Sequence, residues 1–280
     1  MLQLDHQKVL SLLPDRKQDT HKGDYGRLLL LCGSRGYTGA AALTAMGALR
    51  GGAGLVFLGV PEAIYAIEAT KLDEPVVFPL PDREGMLSKN ALEEILQQLP
   101  GMDTVVIGPG LGRSADVEAV VCEVLKSFAG PVILDADGIN VTAAHKDILR
   151  GRRGATVLTP HEGEFVRFTG RPIQNRQKAA EELAKELGAV VVLKGYKTVI
   201  TDGNTTYQNP TGNPGMAVGG SGDVLAGLVA ALTAQGIAPL EAAACGVWLH
   251  GAAGDICARE IGMYGMLPTD MLQVLPRLMK

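Results

Sequence analysis

The chain has 280 residues, of which 46% are hydrophobic but only 4% aromatic, so aliphatic side chains fill its core. A formal net charge of -4 excludes the broad basic surface of nucleic-acid-binding proteins, and no apolar run is long enough to cross a membrane. The four cysteines form no CxxC pair, which predicts reduced core residues and neither a zinc site nor a disulfide. We therefore expect a cytoplasmic protein with no nucleic-acid or membrane partner.

Predicted strands and helices alternate along most of the chain, after a short amphipathic helix around Asp5–Leu13. The predicted strands are Arg27–Cys32, Leu55–Val60, Val76–Leu80, Thr104–Ile107, Val132–Asp135, Thr156–Thr159 and Val190–Lys194, then a hairpin of Val199–Thr201 and Thr205–Gln208. The predicted helices are one ending near Arg50, then Glu62–Ala69, Asn90–Leu99, Val117–Phe128, Gln174–Leu187, Glu241–Glu260 and Asp270–Met279, the last broken by Pro276. This alternation predicts an α/β fold with one mostly parallel sheet covered by helices on both faces, in a single domain of residues 1–280.

Glycine-rich or polar segments follow the predicted strands. They read GSRGYTG, GPGLG, DADG, TPHEGE and KGYKT, and GGSGD joins them further along the chain. Because the carboxyl ends of parallel strands meet at one edge of a sheet, these segments are expected to lie together. Ligands bind at that edge in open α/β sheets, so the pattern predicts an active site there.

The GGSGD segment opens an alanine-rich helix within the stretch Asn209–Gln235. Backbone amides at a helix start, here those of Gly220, Ser221 and Gly222, favour a bound anion. A carboxylate at the same place, Asp223, would repel a static phosphate. The combination favours phosphoryl transfer, in which a hydroxyl is deprotonated beside an arriving phosphate. The alternative is an ordinary glycine loop with Asp223 as a helix-capping residue.

These motifs carry a resemblance over nearly the whole chain. The segments HKGDYGRLLLLCGS, VIGPGLG, VILDADGIN, TPHEGEF, VVLKGYKTVI and NPTGNPGMAVGGSGD resemble those of the NAD(P)H-hydrate dehydratases, the carbohydrate-kinase-like branch of the ribokinase superfamily. The resemblance implies a ribokinase-like fold and repair of nicotinamide cofactors. The substrates would be the S-forms of NADH hydrate and NADPH hydrate, dehydrated with Mg²⁺ and an adenine nucleotide, ADP in preference to ATP. It also implies a homotetramer and the stand-alone form, without the epimerase domain often fused ahead.

The resemblance also assigns roles to individual residues. Asp223 would be the base that takes the proton of the ring hydroxyl, and the amides of Gly220, Ser221 and Gly222 would hold the charge on the phosphate. The remaining assignments are Ala40, Gly110, His161 and Asp223 for the hydrate, Lys194, Gly195, Tyr196, Lys197, Thr198 and Gly222 for the nucleotide, and Glu164 for a metal ion held through water.

Several alternatives remain open at the level of the sequence. His161 could simply cap the following helix, the Lys–Gly turn at Lys194 could be a solvated loop, and Asp135 and Asp137 could either approach the metal or satisfy local turns. His250 is interpreted as structural. Two other functions compete with the dehydratase: a ribokinase-like kinase for a vitamin or sugar alcohol, and a non-catalytic nucleotide sensor. The sensor has no use for a carboxylate at the phosphate.

Overall fold

The computed structural model describes residues 1–280. Its strands are β1 Arg27–Leu31, β2 Leu55–Pro61, β3 Val76–Leu80, β4 Asp82–Arg83, β5 Met86–Leu87, β6 Thr104–Ile107, β7 Val132–Leu134, β8 Thr156–Leu158, β9 Val190–Leu193, β10 Val199–Thr201 and β11 Thr206–Gln208. Its helices are α1 His6–Leu12, α2 Thr38–Arg50, α3 Glu62–Lys71, α4 Leu92–Gln98, α5 Ala115–Ser127, α6 Asp137–Thr142, α7 Lys146–Arg150, α8 Glu162–Thr169, α9 Arg176–Leu187, α10 Ser221–Ala234, α11 Pro239–Glu260 and α12 Pro268–Leu278.

Nine strands form one sheet in the order β11-β10-β9-β8-β7-β6-β1-β2-β3. The seven strands from β9 to β3 in this order run parallel to one another, and β10 is antiparallel to both of its neighbours, β9 and β11. The predicted mostly parallel sheet is therefore confirmed. The strand order reverses between β1 and β6, which creates a crevice at the carboxyl edge of the sheet.

Both faces of the sheet are buried, as its continuous apolar strands predict. In β1, Leu28 and Leu30 face one hydrophobic core while Leu29 and Leu31 face the other. The first core is completed by α2, α10, α11 and α12, and the second by α4, α5, α8 and α9. Helices on both faces thus fix the sheet in the middle of the protein.

The two helices that begin at the crevice, α2 and α10, are packed backbone to backbone through glycine. A β-carbon on Gly227 would overlap the backbone oxygen of Thr44, and one on Gly47 would overlap that of Val224. The absence of side chains at these two positions lets the helices approach closely. The starts of both helices, and the loops before them, are placed by this contact.

The structure corrects one prediction and adds two kinds of element. Pro276 does not break the last helix, because α12 continues to Leu278. A proline loses the hydrogen bond to the carbonyl four residues earlier and crowds that carbonyl, but only two helical residues follow Pro276, so little helix is left for it to disrupt. The small hairpin of β4 and β5 and the short helices α6 and α7 lack the periodicity that marks longer elements. No helix is both long and apolar enough to span a membrane.

We predict that Gly227→Ala lowers the free energy of unfolding by about 1–3 kcal/mol, the usual cost of an added methyl group that must displace a packed neighbour. Gly39→Ala is the matched control, because a β-carbon at Gly39, in the first turn of α2, would meet nothing within 4 Å. We expect this control to leave stability unchanged or raise it by up to about 1 kcal/mol. Urea denaturation measures both changes, and equal values for the two variants would contradict the packing described.

Candidate active site

The loops after β1 and β6 meet where the strand order reverses. The amide of Gly33 donates to the carbonyl of Pro109 at 2.8 Å, and the Ser34 hydroxyl donates to the carbonyl of Gly110 at 2.7 Å. A β-carbon on Gly110 would lie 2.7 Å from that of Ala40. The structure therefore brings together two residues that the sequence assigned to the hydrate, and leaves Gly110 as a bare backbone surface.

The start of α10 presents unpaired backbone amides. Gly220 has a φ of +93°, a left-handed conformation that glycine adopts without strain. The Ser221 amide donates to the carbonyl of Val218 at 3.3 Å. The amides of Gly220, Gly222 and Asp223 have no hydrogen-bond partner within the chain. Three free donors at a helix start form an anion-binding surface, in which Asp223 contributes an amide that the sequence analysis did not include.

A charged cluster lies beside these amides, at the ends of β7, β8 and β9. The Lys194 Nζ atom is 2.7 Å from Asp135 Oδ1 and 3.9 Å from Glu164 Oε2. Asp135 also accepts a 2.6 Å hydrogen bond from the Thr159 hydroxyl. The side chains of Asp135 and Glu164 are only 2% and 7% exposed, so Lys194 neutralises charges that water cannot reach. A β-carbon on Gly222 would lie 3.2 Å from Lys194 Nζ, which places this ammonium at the anion-binding surface.

The same cluster sets the protonation of Asp223, which is half-buried. Burial raises the pKa of Asp223, the negative charge of Asp135 raises it further, and the positive charge of Lys194 opposes both, with the result at about 6. Lys194 shows the converse effect. Burial lowers its pKa, but the charges of Asp135, Glu164 and Asp223 more than compensate, so the pKa stays above its usual value and the ammonium stays charged. Asp223 is thus a carboxylate near neutral pH with the basicity of a proton acceptor.

His161 caps α8, as one reading of the sequence proposed. Its Nδ1 atom accepts hydrogen bonds from the amides of Gly163 at 3.0 Å and Glu164 at 3.2 Å, and Glu164 accepts one from the His161 amide at 2.9 Å. With Nδ1 an acceptor, the neutral ring carries its proton on Nε2. The ring remains exposed, so capping leaves it accessible to a ligand.

The predicted nucleotide loop after β9 is an ordered turn held by its own hydrogen bonds. Gly195 has a φ of +145° and Lys197 one of +53°. The Thr198 hydroxyl donates to the carbonyl of Gly195 at 2.9 Å and accepts from its amide at 3.3 Å. Tyr196 projects outward with 84% of its surface exposed. An aromatic ring held by an ordered loop in this way is available to a flat ligand.

One residue that supports this loop carries no signal in the sequence. Arg176, at the start of α9, donates to the carbonyls of Leu193, at 2.9 Å, and of Tyr196, and its Nε atom is 3.2 Å from Glu162. It therefore ties the loop after β9 to the loop after β8. No local pattern marks this arginine, because its partners lie far from it in sequence.

His250 also has a neighbour that the sequence did not reveal. Its Nε2 atom lies 3.4 Å from the Ser221 hydroxyl, at the first residue of α10. Burial lowers the pKa of His250 to about 4, so the ring is neutral at physiological pH. Through this contact the buried histidine helps to position Ser221 at the anion-binding surface.

The residues present fit a water-mediated magnesium ion. No three His, Cys, Asp or Glu side chains come together as direct ligands of a metal. Asp137 is occupied locally, since it accepts from the Gly112 amide at 3.0 Å and from Arg113 at 2.7 Å. Glu164 also caps its own helix through Oε2, but it lies 3.9 Å from Lys194 and is close enough to Asp223 for its charge to raise the pKa of that residue. Mg²⁺ keeps several waters and binds through one or two carboxylates and substrate phosphates, which this donor set allows.

Comparison with known proteins decides the family. A family model described as NAD(P)H-hydrate dehydratase matches residues 28–277. The chain belongs to this family. The ADP-dependent (S)-NAD(P)H-hydrate dehydratase of Bacillus subtilis is 37% identical over 278 residues, which cover 97% of this chain and 95% of that protein. The resemblance predicted from the motifs is confirmed.

Solved structures of the family share the fold. The ADP/ATP-dependent NAD(P)H-hydrate dehydratase of Bacillus subtilis, co-crystallised with ATP and Mg²⁺, superimposes with a TM-score of 0.84 at 32% identity, covering 98% of this chain and 96% of that one. The predicted ribokinase-like architecture is therefore confirmed.

Other relatives are about twice as long as this chain. The bifunctional NAD(P)H-hydrate repair enzyme Nnr of Moorella thermoacetica is 45% identical over 277 residues, which cover 96% of this chain but 52% of that protein. The chain thus spans about half the length of this and several other curated relatives.

We predict that Asp223→Asn stabilises the protein at high pH. The pKa of Asp223 rises from an ordinary 3.8 to about 6 on folding, so folding favours the protonated form. The stability due to that form is complete below 3.8 and is lost as the pH rises through 6. An asparagine, which never ionises, should therefore give a higher Tm than wild type at about pH 8 and an equal Tm at about pH 3.5. A pH-independent difference in Tm, or a lower Tm for the variant at pH 8, would contradict the assigned pKa.

Proposed function

We propose that this chain is a nucleotide-dependent NAD(P)H-hydrate dehydratase, a hydro-lyase that restores NADH and NADPH from the S-forms of their hydrates. The observation that carries the proposal is the position of Asp223. It is a carboxylate of raised pKa beside three free amides and a buried ammonium. A static phosphate site would gain nothing from such a carboxylate, whereas a phosphoryl transfer needs a base there.

In the proposed reaction Asp223 accepts the proton of the hydroxyl on the hydrated ring as the oxygen attacks the terminal phosphorus of the nucleotide. With ADP the bond to the bridging oxygen breaks and AMP leaves. The ring nitrogen then expels the new phosphate group, and loss of a ring proton regenerates the reduced cofactor. Hydroxide is a poor leaving group and phosphate a good one, so the nucleotide supplies the driving force for dehydration.

The surrounding residues hold the charge that develops on the transferred phosphate. The amides of Gly220, Gly222 and Asp223 point to the space in front of α10, and the Lys194 ammonium adds a full positive charge beside them. Preorganised donors of this kind stabilise a transition state because they need no reorientation during the reaction. Ser221 contributes through its hydroxyl, held next to His250, more than through its amide.

The remaining assignments follow the same edge of the sheet. Ala40, Gly110 and His161 would contact the hydrate, and the strip Lys194, Gly195, Tyr196, Lys197 and Thr198, together with Gly222, would contact the nucleotide. Glu164 would hold Mg²⁺ through water, and the ion would neutralise the nucleotide phosphates. ADP is the expected nucleotide, since the relative of matching length is ADP-dependent.

We also propose the assembly and location that the family resemblance implies. Residues 1–280 would form one domain that assembles as a homotetramer in the cytoplasm. Exposed apolar side chains between α11 and α12, those of Ile261, Met263, Tyr264 and Leu267, offer a surface for contact between subunits. The four cysteines are buried and unpaired, and unpaired cysteines are typical of proteins in a reducing compartment.

The fate of the phosphate separates this function from a kinase for a vitamin or sugar alcohol. In one turnover with NADH hydrate, ADP and Mg²⁺, followed by rapid quench, we predict equal amounts of AMP, free phosphate and NADH. Asp223→Asn should reduce the rate by about 10²–10⁴-fold and leave nucleotide binding intact. A stable phosphorylated product without free phosphate would favour the kinase. Nucleotide binding with no turnover of any hydrate would favour the sensor.

A further inference from the structure

Two arginines at the carboxyl edge of the sheet belong to a hydrogen-bonded network and have no role in the reaction proposed above. Arg113 donates from Nε to Asp137 Oδ1 at 2.7 Å, and Arg167 donates from Nε to Asn140 Oδ1 at 3.2 Å. The side-chain amide nitrogen of Asn140 in turn donates to Asp137 Oδ1 at 3.4 Å. One continuous network therefore links the loops after β6 and β7 to helix α8.

This network lies between Gly110 and His161, two of the residues assigned to the hydrate. Arg113 follows Gly110 by three residues, and the amide of the intervening Gly112 is fixed by Asp137. On the other side, Arg167 and His161 both lie over Gly163. A β-carbon at Gly163 would be 3.0 Å from the His161 ring and 3.5 Å from Arg167 Nη1.

Each of the two guanidinium groups is fixed on one side by a hydrogen bond, and its other side is available to a ligand. Both use Nε to reach the network, while their terminal nitrogens have no hydrogen-bond partner within the chain. Asp137 is the single carboxylate in the network, so one positive charge is left uncompensated. A guanidinium with its terminal nitrogens free binds phosphate through two parallel hydrogen bonds.

We propose that Arg113 and Arg167 bind the diphosphate that joins the two nucleosides of the hydrated dinucleotide. The proposal rests on the dehydratase function and extends it, because it names the part of the substrate that lies beyond the ring. Each guanidinium group would donate from its terminal nitrogens to one of the two phosphates. A vitamin or sugar alcohol carries no diphosphate, so this subsite would select dinucleotides over the substrates of related kinases.

The adenine nucleotide is not the ligand expected here. Its predicted loop follows β9, where Lys194 faces the start of α10. Arg113 instead follows β6, which β7 and β8 separate from β9 in the sheet, and Arg167 is bonded to Asn140, in the segment that follows β7. A loss of dinucleotide affinity without a loss of ADP affinity is therefore the signature of the proposed subsite.

Calorimetric titration of the stable product NADH tests the proposal. We predict that Arg113→Gln and Arg167→Gln each raise the Kd for NADH about tenfold, the loss expected for one exposed charge-assisted contact. Neither should change the Kd for ADP or for reduced nicotinamide riboside, which has no phosphate. Arg171→Gln is the matched control, since Arg171 is equally exposed but pairs with Glu186 at 3.0 Å, and it should change none of the three.

Four results would overturn the proposal. These are an unchanged Kd for NADH in both variants, an equal loss of affinity for ADP, an equal loss of affinity for reduced nicotinamide riboside, and no binding of NADH by the wild-type protein. Because NADH is titrated without turnover, these results do not depend on the dehydration step. Turnover of hydrate by a wild type whose arginine variants bind NADH normally would leave the function standing and remove only the subsite.

Discussion

The interaction on which the site depends is the buried ion pair between Lys194 and Asp135, 2.7 Å apart. Without the ammonium, Asp135 and Glu164 would be buried charges lacking a counter-ion, a situation that costs several kcal/mol for each charge. One ammonium does not balance three carboxylates, however. The excess negative charge joins burial in raising the pKa of the third, Asp223, to about 6. The contact thus stabilises the buried charges, while burial and the negative charge that Lys194 leaves uncompensated give Asp223 the basicity that catalysis requires.

The fold supplies this contact by bringing distant segments together. Asp135, Thr159 and Lys194 each follow one of three neighbouring parallel strands, so the pleat and the register of the sheet bring them to one edge. Asp223 arrives from another direction, on a helix held against α2 by glycine. The arrangement joins a rigid parallel sheet to a closely packed helix pair, and small movements between the two would change the separation of Asp223 from Lys194.

The fold could be predicted from the sequence, and so could the segments that meet at the carboxyl edge of the sheet, but the electrostatics of that edge could not. Long apolar strands such as Arg27–Leu31 can be recognised from their hydrophobic runs. The GGSGD segment can be recognised from its glycines at the start of an apolar helix. Pairings between residues far apart in sequence leave no local pattern. The bonds from Arg176 to the loop after β9, the contact of His250 with Ser221 and the ion pair of Lys194 with Asp135 all belong to this class. The predicted break at Pro276 is wrong because this proline lies in the last turn of α12, where little helix follows it.

The central claim is that the charged cluster holds Asp223 as a base near neutral pH. It is tested most directly by titrating the ¹³C-labelled carboxyl of Asp223 by NMR, in the wild type and in Asp135→Asn. The account predicts a midpoint near 6 in the wild type. It predicts a lower midpoint in the variant, because a neighbouring negative charge has been removed. A wild-type midpoint near the ordinary 3.8, unchanged by Asp135→Asn, would contradict it.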